Sequence, residues 1–176
     1  MNRRWPARPR IADNPDRFAM QPSPGPIQVQ IREAILADVP QLSDLLTLLF
    51  SQEADFTPDA NRQSIGLRQI IGQPETGRIY CATTKDGKIA GMVSILYTVS
   101  TAEGGRAAWL EDMVVRPDLR GGGIGEQLLQ MAVEQARAAG CKRITLITDA
   151  VNERAIRFYG RAGFRASAMI PLRLKL

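Results

Sequence analysis

Apolar and polar residues alternate from Ile27 to Ile35 (IQVQIREAI), the period-two pattern of a strand with one buried face. The period then changes. Leu42, Leu45, Leu46, Leu49 and Phe50 fall on one stripe at helical spacing, which predicts a helix over 37–53. Asp38 is its expected N-cap, and Pro40 sits in the first turn, where proline is tolerated. A second helix is predicted over 59–72, carrying Ile65, Leu67, Ile70 and Ile71 and ending near Gly72 and Pro74.

Strand-like runs follow. GRIYCATT leads through Asp86-Gly87, a hairpin signal, into IAGMVSILYTVS; the turn TAEGG leads into RAAWLEDMVV. Ile124, Leu128, Ala132 and Ala136 then repeat every four residues, marking an amphipathic helix that closes at Gly140, a natural residue for a helix end. CKRITLIT reads as a buried strand, and NERAIRFYGRAG as a short helix with Asn152 as N-cap. FRASAM and PLRLKL read as final strands. The order is β-α-α-β-β-β-α-β-α-β, with a seventh strand at the end. The expected class is mixed α/β (α+β): a mostly antiparallel central sheet of six to seven strands with about four helices.

Composition changes this picture little. A length of 176 residues and a 44% apolar content suit one domain with a real core. Residues 1–26 differ. Six prolines interrupt them, so they read as a flexible arm ahead of a domain spanning 27–176. Five arginines against two aspartates put +3 of the net +5 on that arm and leave +2 for the rest, a poor footing for nucleic-acid binding. No apolar run approaches bilayer length and no apolar stretch follows the first arginines, so neither a membrane span nor a secretory leader is expected. The chain has no histidine, which excludes histidine bases and the usual zinc sites. Cys81 and Cys141 stand apart and read as small buried hydrophobes, in keeping with a reducing cytoplasm.

The candidate chemistry lies in EDMVVRPDLRGGGIGEQLL, where a strand runs into glycines that open a helix. The first N–H groups of a helix lack intrahelical partners, the dipole there is positive, and missing Cβ atoms let an anion reach the backbone. The reading is a phosphate or pyrophosphate cradle with Arg120 as charge partner. A P-loop is ruled out because no Lys-Ser or Lys-Thr follows the glycines, and the dinucleotide pattern GxGxxG fails at Glu126. The pattern R-x-x-G-x-G/A is met in full by Arg120, Gly121, Gly122, Gly123, Ile124 and Gly125.

With this motif, and with N-x-x-A-x-x-F-Y-x-x-x-G-F over NERAIRFYGRAGF, the chain from about Ile27 onward resembles the GNAT superfamily of N-acetyltransferases. The resemblance implies the GNAT fold, acetyl-CoA as acyl donor and no metal. It implies that the N–H groups of Arg120 through Gly125 hold the CoA pyrophosphate. Main-chain groups of Met113, Val114 and Val115 would serve the pantetheine and thioester carbonyl, on a strand that splays from its neighbour. Asn152 would contact pantetheine, a role compatible with capping its helix.

Tyr159 is then the candidate general acid for the leaving thiolate, and Glu111 the candidate base, directly or through water. Asp112 is adjacent, and in a regular strand only one of the two can face the substrate, which leaves Asp112 to substrate binding or an arginine pair. Glu53, Asp55 and Phe56, between the first two helices, are candidates for holding a cationic amine, and the turn STAEGG is a possible edge of the site. The acceptor is left open between a small-molecule and a peptide amine. The alternative is a non-catalytic acyl-CoA-binding sensor or regulatory module. No nucleic acid or membrane partner is expected, and the resemblance suggests a homodimer.

Overall fold

The computed structural model describes residues 27–52 and 56–174. The expected arm over 1–26, with Glu53 and Asp55, lies outside the described residues.

Strand β1 (Gln30–Glu33) is followed by a single 3₁₀ turn (Leu36–Asp38) and helix α1 (Val39–Phe50). Asp38 does not cap α1 with its side chain. Its carboxylate instead accepts the Ile35 N–H at 2.8 Å and both guanidinium arms of Arg32 at 2.6 and 2.8 Å, tying β1 to the start of α1. The Arg32 hydrogen bond holds this carboxyl below its ordinary range. Helix α2 (Ala60–Gly72) is capped by Asp59, which accepts the Asn61 and Arg62 N–H groups. Leu67, Ile70 and Ile71 of its expected stripe pack on the core, but Ile65 does not. Gln63 and Leu67 are buried while Ile65 is 52% exposed, because Gln63 meets the hydroxyls of Ser43 and Thr47 on α1.

Strands β2 (Gly77–Thr83), β3 (Ile89–Ser100) and β4 (Gly105–Val115) extend the sheet, each antiparallel to the strand before it. A 3₁₀ turn (Pro117–Leu119) and α3 (Ile124–Ala138) then cross over to β5 (Ile144–Leu146), which pairs parallel with β4. Helix α4 (Glu153–Arg161) follows, with Asn152 accepting the Ala155 N–H at 3.0 Å, the expected cap. Strand order is β1-β2-β3-β4-β5.

The two faces of the sheet bury different sets. Tyr80, Ala82, Val93, Ile95, Ala108 and Leu110 pack with Ile124, Leu128 and Ala132 of α3. Ile79, Cys81, Met92 and Val114 pack with Val39, Leu42 and Leu46 of α1. Cys81 is thus the small buried hydrophobe expected, and Cys141 is partly buried.

Among the described residues, the expectation of six to seven strands is corrected to five. FRASAM and the described part of PLRLKL form no strand, and Met169, Ile170, Leu172 and Leu174 are 79–90% exposed. Alternation signals a segment able to pair, but a strand exists only where a neighbour completes its ladder, and Pro171 lacks a donor.

Burial also predicts an alkaline instability. It pushes the phenols of Tyr80 and Tyr159 up to about 12. An unfolded tyrosine ionises near pH 10. Stability from these groups is therefore complete below pH 10 and lost as pH rises from 10 to 12. At about 1.4 kcal/mol per unit, the loss is at most about 2–3 kcal/mol for each ring. Urea unfolding at pH 9 and 11 should show a drop that Tyr80→Phe and Tyr159→Phe reduce; an equal drop in both variants would contradict the assignment.

Candidate active site

The site begins with an irregularity in β4. Val93 pairs with Met113 and Ile95 with Leu110, so Ser94 alone faces two residues, Glu111 and Asp112. This is a β-bulge. It inverts the alternation of the strand: Leu110 and Met113 both pack on the α3 side, where a regular strand would send them to opposite faces. Glu111 and Asp112 are left together between them. Asp112 bonds Ser94, whose neighbours Val93 and Ile95 face α3, so this carboxylate lies on the α1 side. Glu111 is exposed. The expectation that only one of the pair can face the substrate assumed a regular strand, and the strand is bulged at these two residues.

Beyond the bulge β4 loses its other neighbour. The ladder to β5 covers Ala108, Trp109 and Leu110 and stops there. Main-chain groups in an antiparallel strand point alternately to either side. The Arg116 N–H donates to Ala90 on β3, so the main-chain groups of Met113 and Val115 turn away from β3, into the cleft beside β5. Those of Val114 turn toward β3, and its side chain is buried under α1.

The glycines at the end of β4 do separate jobs. Gly121 (φ +87°) and Gly123 (φ +80°) hold the left-handed backbone that the turn into α3 requires. Gly122 is buried against Ile27, whose side chain lies 2.5 Å from where a Cβ would stand. Gly125 lets the Phe158 ring of α4 approach to 3.6 Å of the same point. Among the described residues, the N–H groups of Gly121–Gly125 donate to no protein acceptor, and they surround the N-terminus of a 15-residue helix. That is the donor set an anionic diphosphate needs. Arg120 does not point out of this cradle at its Nε, which donates to the Val115 carbonyl at 3.0 Å and pins the loop to the strand.

Tyr159 stands at the cleft. Its ring packs edge-on against Phe158 and Phe164, and its hydroxyl donates to the Met113 Sδ at 3.6 Å. Helix α4 thereby brings the phenol to the residue whose main chain faces the open edge of β4.

The profile of the Acetyltransferase (GNAT) family matches residues 40–164. The chain belongs to the GNAT acetyltransferase family. An aminoalkylphosphonate N-acetyltransferase of Salmonella typhimurium is 30% identical over 138 residues, 78% of this chain and 86% of that protein. A glucosamine 6-phosphate N-acetyltransferase of Trypanosoma brucei brucei is 37% identical over 81 residues, 46% of this chain, and the match spans about half (53%) of that relative's length. Among solved structures, an integron cassette protein from the mobile metagenome of Cole Harbour Salt Marsh superposes with a TM-score of 0.73 at 28% identity, covering 84% of this chain and 90% of that one.

Within this GNAT chain, the structure brings Glu111, Asp112, Met113, Tyr159 and the glycine loop to one end of β4. The turn over 100–105 is at the other end. It joins Ser100 to Gly105, about 20 Å along the strand from Glu111 at ~3.3 Å per residue, too far to edge the site. Phe56 stacks near Phe50, ring centroids 5.5 Å apart, and the Arg173 guanidinium lies 5.1 Å over its ring. Sequence reading did not anticipate Arg173, because nothing local links residue 173 to residue 56. It also passed over Ser94, a polar residue inside an apolar strand. Two surface cavities, of about 370 and 700 Å³, lie beside the cleft rather than in it. The first is walled by α1 and Arg116–Asp118, the second by Gln28–Gln30 and Thr83–Lys85. No helix among the described residues is long and apolar enough to cross a membrane, and no three acidic, cysteine or histidine side chains among them gather as metal ligands.

Proposed function

We propose that this GNAT chain transfers the acetyl group of acetyl-CoA to a primary amine, by direct attack in a ternary complex. The observation that carries the proposal is the placement of the Tyr159 hydroxyl at Met113, where β4 leaves β5 and runs toward the glycine loop.

The Gly121–Gly125 N–H groups hold the pyrophosphate, and Val115 offers its N–H to the pantetheine. The fit rests on the two left-handed glycines and the open N-terminus of α3. Asn152 lies at the head of α4, its carbonyl engaged as cap, which leaves its amide N–H₂ to reach pantetheine. Acetyl-CoA supplies an activated thioester. Met113 presents its N–H to the carbonyl oxygen, where negative charge develops.

Glu111, exposed at the bulge, takes the proton released by the amine, directly or through one water. Burial holds the Tyr159 phenol at about 12. Tyr159 keeps its proton until the sulfur departs and then donates it to the leaving thiolate.

The relatives named for aminoalkylphosphonate and glucosamine 6-phosphate support a small-molecule amine as acceptor. In this reading Asp112, on the α1 side of the bulge, and Phe56 line its approach. Thiol release from acetyl-CoA, followed across aminophosphonates, amino sugars, amino acids and polyamines, tests the proposal. Amine-dependent release with N-acetylated product is expected for at least one class. Saturable acetyl-CoA binding with no release for any amine would instead support the non-catalytic module.

A further inference from the structure

We infer that Ser94, on β3, is a positioning residue for the reaction: it bolts the β4 bulge and so sets Met113 and the two carboxylates in their working places. The inference rests on the acetyl-transfer reading above.

Ser94 is fully buried, with apolar neighbours on its strand and Ile79 opposite it on β2. A hydroxyl in such a place costs stability unless it is bonded. Both of its bonds go to one residue. Its Oγ accepts the Asp112 N–H at 3.0 Å and donates to the Asp112 carboxylate at 3.2 Å. An extra residue in a strand leaves a main-chain N–H without its ladder partner. Here a side chain from the opposite strand takes that N–H and, with the same atom, fixes the bulged residue's own side chain.

The consequence reaches the cleft. Without the bulge, strict alternation from Leu110 would carry Met113 to the α1 face, away from Tyr159, and split Glu111 from Asp112. With it, Met113 meets the Tyr159 hydroxyl, Asp112 is held on Ser94 and Glu111 stays exposed beside it. The glycine loop is held by other means: Ile27 against Gly122, and Arg120 on Val115. Ser94 should therefore govern turnover and leave cofactor affinity alone.

The test uses Ser94→Ala and Ser94→Thr in the full chain, with an amine that the wild type acetylates. If the wild type acetylates none, the acetyl-transfer reading fails first, and by a separate result. Ser94→Ala is expected to melt cooperatively and bind acetyl-CoA within about threefold of wild type. Its kcat should fall at least about thirtyfold, since small misplacements of reacting groups cost up to about a hundredfold. Ser94→Thr, which keeps the hydroxyl, should recover most of that loss. A folded Ser94→Ala whose kcat stays within about threefold of wild type overturns the inference. So does a parallel loss of kcat and acetyl-CoA affinity that Ser94→Thr does not restore, which marks a merely structural residue. If Ser94→Ala does not fold, Ser94→Cys, of nearly the same shape with a weaker hydrogen-bonding atom, reads the same two quantities against the same outcomes.

Discussion

Gly123→Glu removes the thermal stabilisation that acetyl-CoA gives the wild-type chain and raises its Kd at least about a hundredfold, or about 2.7 kcal/mol. Two effects combine. The residue sits at φ +80°, where a side chain costs roughly 1–2 kcal/mol. Its Cβ would stand 3.6 Å from the Glu126 carboxylate at the mouth of α3, so the new carboxylate adds negative charge where the pyrophosphate must come. Gly123→Asn separates the two, because asparagine tolerates the left-handed region and carries no charge. It should keep acetyl-CoA binding within about tenfold of wild type. Equal loss in both variants would mean that backbone geometry, not charge, decides; retained binding in Gly123→Glu would remove the cradle.

Tyr159→Phe lowers kcat by about a hundredfold, toward the lower end of what a positioned proton donor contributes. Acetyl-CoA affinity should change little, because the phenol touches Met113 and two aromatic rings, not the glycine loop. Stability should also change little. A thioether is a weak acceptor, so removing the hydroxyl forfeits little hydrogen bonding. Steady-state rates at saturating acetyl-CoA, with calorimetric affinity on the same sample, separate these effects. A variant with wild-type kcat would make Tyr159 a packing residue.

What could be read from the sequence was local. The glycine loop and the Asn152-to-Gly163 segment declare themselves because turn geometry, capping and helix starts depend on residues a few positions apart. The long strands and the stripes of α1 and α3 are legible for the same reason. The remainder depends on pairing between distant segments. The bulge arises from β4 against Ser94, seventeen and eighteen residues away for Glu111 and Asp112, and no period in either strand announces it. Asp38 looks like a cap until Arg32 claims it. Ile65 looks buried until Gln63 finds Ser43 and Thr47. The last segment alternates as a strand should, yet among its described residues no neighbour completes a ladder. Arg120 matches the motif letter for letter, but its Nε is spent on the loop rather than aimed at an anion.

The most direct test of the account is a calorimetric titration of the wild-type chain with acetyl-CoA, paired with a melting curve at each concentration. A saturable one-to-one isotherm, with a melting temperature that climbs as acetyl-CoA is raised, is the predicted result. A chain that melts cooperatively but shows neither heat nor shift at millimolar acetyl-CoA would contradict the cradle at Gly121–Gly125, and with it the proposed reaction.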